Sequence, residues 1–75
     1  MPKKLHIDPG SYSFLALNFG TEVAEICNRY QRDFQISNRD LAIMLSQVLI
    51  GHCKNAHIEI RDIANILDQC WRLTR

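Results

Sequence analysis

Breakers are scarce in this chain of 75 residues, which holds two prolines and three glycines. That scarcity excludes a collagen-like or low-complexity chain. The glycines stand singly at Gly10, Gly20 and Gly51, so no glycine-rich loop exists to cradle a phosphate. The cysteines, Cys27, Cys53 and Cys70, are odd in number and form no CxxC. A small secreted domain usually carries an even disulfide framework, so the expectation is a reducing, cytoplasmic setting. Neither sign of charge dominates: nine Lys and Arg face eight Asp and Glu, for a net charge of +1. This excludes both a strongly basic nucleic-acid-coating protein and an acidic disordered tail. No long hydrophobic run is present either. The longest, from Leu41 to Ile50, is interrupted by Ser46 and Gln47 and is far short of the about 20 apolar residues of a membrane span. Lys3 and Lys4 are followed by His6, Asp8, Pro9 and Gly10 in place of an apolar stretch, so no signal peptide is expected.

What the chain does have is apolar content, 47% of its residues, placed at helical spacing. Residues 1–10 read as a flexible or extended lead-in that closes on the turn signal Asp8-Pro9-Gly10, and residues 11–75 as a single helical domain. Tyr12, Leu15, Phe19, Val23, Ile26, Tyr30 and Phe34 recur every three or four residues and form one stripe of a helix over about 11–34. Gly20 interrupts that segment, yet the stripe stays in phase across it; the helix is either continuous, kinked or split there. A second helix is predicted over 38–54. Ser37 is its N-cap, Asp40 takes the third helical position, and Ile36 and Leu41 form a hydrophobic staple. A third is predicted over 59–73, with Ile58 and Ile63 in the same relation around Glu59, a poor capping residue. The expected fold is therefore all-α, a small three-helix bundle completed by dimerisation.

The two later helix starts resemble each other. Residues 36–47 read ISNRDLAIMLSQ and residues 58–69 read IEIRDIANILDQ. Amphipathicity and capping account for the matched Ile, Asp, Ala and Leu, but they do not demand the matched Arg39/Arg61 or Gln47/Gln69. Convergence of two stapled helices and duplication of a helical unit both fit. Arg39 and Arg61 would lie in the first helical turn, where the helix dipole disfavours a cation. Each is therefore a candidate for a polar or anion contact, or for a side chain that reaches back to Asp40 or Asp62.

Apolar residues also exceed what one stripe per helix needs. On the second helix the main stripe is Leu41, Met44, Leu45, Val48 and Leu49, while Ile43 and Ile50 stack on the opposite side. On the third, Ile60, Ile63, Ala64, Leu67, Cys70 and Trp71 form the stripe, and Ile66 and Leu73 widen it. With only two neighbouring helices to cover these backs, Ile43, Ile50, Ile66 and Leu73 are the expected interface of a homodimer or of an unidentified protein partner.

Catalytic and cofactor chemistry find little footing. Cys53 with His52 or His57 is the single Cys/His cluster, and no third orienting group or oxyanion hole accompanies it. HxxxH and HExxH are absent, so no metal or other cofactor is expected. Asn38-Arg39-Asp40-Leu41-Ala42 looks like the first helix of a helix-turn-helix. However, the segment in the recognition position, Val48 to Lys54, is apolar with one Lys, whereas base reading needs Arg, Lys, Asn or Gln there. The expected function is a non-enzymatic, homodimeric interaction or regulatory module. A nucleic-acid-binding regulator with a dimeric basic surface is the alternative.

Overall fold

The structure is a computed structural model and describes residues 6–10 and 13–74. It consists of α1 (Phe14–Phe34), α2 (Asn38–Asn55) and α3 (Ile60–Leu73), with no strand among the described residues. The expected helical turn at residues 11–12, Tyr12 included, lies outside the described residues, as do Lys3, Lys4 and Arg75.

Helix α1 starts three residues later than its apolar period suggests, because Ser13 caps it. The Ser13 backbone is extended and its Oγ accepts the amide of Ala16 at 3.1 Å, satisfying one of the orphan N–H groups of the first turn. The helix is continuous through Gly20. The Thr21 hydroxyl donates to the Leu17 carbonyl at 2.9 Å, a local bond compatible with unbroken helix. At the far end Gln35 takes a left-handed conformation, φ 54°. The Gln31 side-chain amide then spans the turn, donating to the Ile36 carbonyl at 3.2 Å and to Asn38 Oδ1 at 2.8 Å.

Helix α2 opens as the sequence predicts. Ser37 Oγ accepts the Asp40 amide at 3.1 Å, and Asp40 adds a carboxylate at the positive end of the dipole. Its end is a Schellman motif. The Ile58 amide donates to the Cys53 carbonyl at 2.9 Å and the His57 amide to Lys54 at 3.3 Å, with His57 left-handed at φ 58°. Gly51 does not shorten this helix. At α3, Glu59 takes the N-cap position without a side-chain bond. Its carbonyl accepts the amides of Asp62 and Ile63, so the backbone alone starts the helix.

The N-terminal lead-in touches the helices. A Cβ placed on Gly10 would stand 3.0 Å from Cδ1 of Leu73, so a larger residue there would have to displace the end of α3. Close by, His6 Nε2 and Asp8 Oδ1 pair at 2.8 Å on the surface.

The three helices enclose very little. Among the described residues only Cys53 (4% exposed) and Ile63 (8%) are buried hydrophobics. The radius of gyration is 14.2 Å, against about 11 Å for a compact domain of this length. The helices form as local sequence dictates; their apolar stripes do not close on one another.

Candidate protein-interaction interface

Three apolar surfaces remain uncovered. The first is a groove of 270 Å³ between α1 and α2, lined by Ile26, Cys27 and Tyr30 from α1 and by Leu41, Met44, Leu45 and Val48 from α2. The spacings of these residues, four along α1 and three, four and seven along α2, put each set on one helical face. No carboxylate, ammonium or guanidinium lines it. Val48 is the most open of its walls, at 73% exposed.

The second surface is the outer side of α2, a shallow depression of 670 Å³ whose apolar centre is Ile43 and Ile50. Ala42, Ser46, Gln47 and Gly51 surround this centre, and Arg39 and Lys54 bound it at either end. Ile43 is exposed and Ile50 half-buried. The third surface lies on α3, where Ile60, Leu67 and Trp71 stand on one side and all face solvent. Trp71, the sole tryptophan, is 85% exposed and Ile60 75%.

The sequence-predicted interface residues are thus at the surface but do not form one patch. Ile43 and Ile50 share the outer face of α2. Ile66 and Leu73 are exposed on α3, and Leu73 lies against Gly10. The assignment of faces also shifts. Val48, Ile60, Leu67 and Trp71, read from the sequence as core, are among the exposed residues, whereas Ile50, read as a back residue, is partly covered. On α3 the residues Ile60, Ile63, Leu67, Cys70 and Trp71 span an arc of about 100°, an ordinary core-facing width, and periodicity does not say which edge of it turns inward. The helix turns toward Ile63, which leaves Ile60, Leu67 and Trp71 at the outer edge of that arc.

The polar candidates resolve differently. Arg39 Nη1 reaches Asp40 Oδ1 at 3.5 Å, so its neighbour along the helix compensates its position against the dipole. Arg61 is exposed and makes no ion pair among the described residues. Arg32 pairs with Asp33 at 3.1 Å, and Arg72 with Asp68 at 3.1 Å across one helical turn. The Arg29 guanidinium lies 5.8 Å from the centre of the Tyr30 ring, within cation–π range. All three ion pairs are well exposed and contribute at most about 1 kcal/mol each.

The cysteines are free, Cys53 buried and Cys27 and Cys70 partly covered. Among the described residues no group of three or more His, Cys, Asp or Glu is placed to hold a metal ion. No helix among them is long and apolar enough to cross a membrane. No protein-family model, curated protein or solved structure matches the chain.

Proposed function

We propose that this chain is a cytoplasmic, non-enzymatic helical interaction module that functions as a homodimer. The observation that carries this reading is uncovered apolar surface. Trp71, Ile60 and Val48 are 85%, 75% and 73% exposed, and Phe14, Phe19 and Phe34 also stand largely in solvent. Large uncovered apolar side chains of this kind mark interaction surfaces.

A second copy fits as the partner on two grounds. The net charge of +1 imposes no appreciable repulsion between copies. The uncovered side chains are also aliphatic and aromatic, the composition of obligate homodimer interfaces rather than of transient polar ones. The nucleic-acid reading draws less support, because the net charge is +1 and the segment Val48 to Lys54 offers one Lys for base contacts.

Sedimentation equilibrium at tens of micromolar tests the proposal. The expected mass is twice the 8.7 kDa of the chain, with a thermal midpoint that rises with protein concentration. A helical species of single-chain mass with a concentration-independent midpoint overturns it.

A further inference from the structure

We propose that the lead-in is a clasp: Pro9 and Gly10 hold the C-terminal turn of α3 beside a small-residue face of α1, and Gly10 is the residue that lets it close. A segment that precedes the first helix of a domain is ordered only where something ties it down. Here the tie is visible. A Cβ built on Gly10 stands 3.0, 3.6 and 3.7 Å from Cδ1, Cβ and Cγ of Leu73, so the Gly10 backbone lies directly on that side chain. The neighbours of this contact, Pro9 and Thr74, border one hollow of 440 Å³ that has Ala16, Gly20 and Ala24 of α1 among its walls. Residues far apart in the chain thus meet at one place.

The need for glycine at position 10 is spatial. Its φ is not positive, so the backbone conformation does not call for glycine, and it is the Leu73 side chain that excludes a Cβ. The α1 side contributes room rather than contact. Ala16, Gly20 and Ala24 recur every four residues and share one helical face, and a Cβ on Gly20 would still meet nothing within 4 Å. Gly20 is therefore free to change where Gly10 is not. The clasped turn ends on the Thr74 amide, which donates to the Cys70 carbonyl at 2.9 Å, and that bond reports locally on the clasp. The contact forms within one copy, so it does not depend on whether the chain dimerises.

Two sets of full-chain variants test the clasp. In the first, Gly10→Cys is combined with Leu73→Cys in a chain carrying Cys27→Ser and Cys70→Ser, with the buried Cys53 retained. The Leu73 substitution removes the methyl that stands in the way, and the Cβ separation of 3.6 Å lies in the range of about 3.5–4.5 Å that a disulfide spans. Mild oxidation of a dilute sample should give an intrachain disulfide in most molecules, resolved by mass. Gly10→Cys with Leu67→Cys, about 9 Å back along α3, should give several-fold less. In the second set the cysteines are unchanged, and thermal unfolding and amide exchange are followed. Gly10→Val should lower the thermal midpoint by several degrees and speed exchange of the Thr74 amide several-fold. Both effects should shrink several-fold in a Leu73→Ala background, because contacting residues are coupled, and Gly20→Ala should produce neither. A Gly10/Leu73 disulfide no more frequent than the control, or one formed only between chains, overturns the clasp. So does a neutral Gly10→Val, or a loss that is the same with and without Leu73→Ala.

Discussion

The two junctions between helices do the same topological job by opposite means. Between α1 and α2 the turn is held by polar local bonds. Ser37 Oγ takes the Asp40 amide, and the Gln31 amide ties Ile36 to Asn38. The apolar residues behind it, Cys27, Ile36 and Leu41, are only partly covered, and Val48 on the groove wall stands in solvent. Between α2 and α3 the N-cap residue, Glu59, makes no side-chain bond. There a Schellman motif turns the backbone, and the two buried hydrophobics, Cys53 and Ile63, flank it. Both junctions place a non-glycine residue in the left-handed region, Gln35 in one and His57 in the other. Good capping is therefore not the same as good packing. The better-capped junction is the open one, because a cap settles only the first turn of a helix and not what its apolar face meets.

Substitutions can break this contrast, and the largest effect is expected where burial is. Ile63→Ala should destabilise by about 3 kcal/mol, the middle of the usual range for emptying a buried aliphatic site. Urea unfolding followed by circular dichroism, at one fixed protein concentration, measures it. A loss below that of removing the Ser37 cap would show that burial of Ile63 contributes less than the cap.

An intermediate effect is expected from exchanging the caps. Ser37→Ala should cost about 1 kcal/mol, and Glu59→Ser should contribute up to about 1 kcal/mol by supplying the missing side-chain acceptor. The same unfolding experiment reads both, and equal insensitivity at the two positions would erase the distinction drawn between the junctions.

The smallest changes concern the left-handed residues. Gln35→Gly and His57→Gly should each stabilise, by a few tenths to about 1 kcal/mol, since glycine carries no Cβ penalty at positive φ. Part of that gain is offset by the greater freedom of the unfolded chain. A loss of stability at His57 would mean that its side chain contributes more than its backbone strain costs.

Much of the fold was legible because it is local. Ser37 followed by Asp40 and Leu41 marks the start of α2, and the structure starts that helix at Asn38. The apolar period across Gly20 keeps α1 in phase, and the helix is continuous. The aligned segments 36–47 and 58–69 begin their helices at matching positions, Asn38 and Ile60. The misreadings arise where locality ends. Ser13 caps α1 without the acidic residue that makes Ser37 conspicuous, so the start of α1 is hard to see. The left-handed turns at Gln35 and His57 lack the glycine that would announce them. On α3, periodicity identifies the apolar arc and cannot say which part of it turns inward.

The sequence by itself determined the three helices, the capping of α2, and an apolar content that exceeds one stripe per helix, all consequences of residue spacing within a few turns. The tertiary structure decided which of those apolar residues are shared within the chain and which are left over. Ile63 and Cys53 are enclosed, while Trp71, Ile60 and Val48 stand in solvent. The reason is geometric, since helix orientation depends on contacts between residues far apart in the chain, and turns of a few residues do not encode it. The scarcity of breakers ensures that the helices form; it leaves open what they form against.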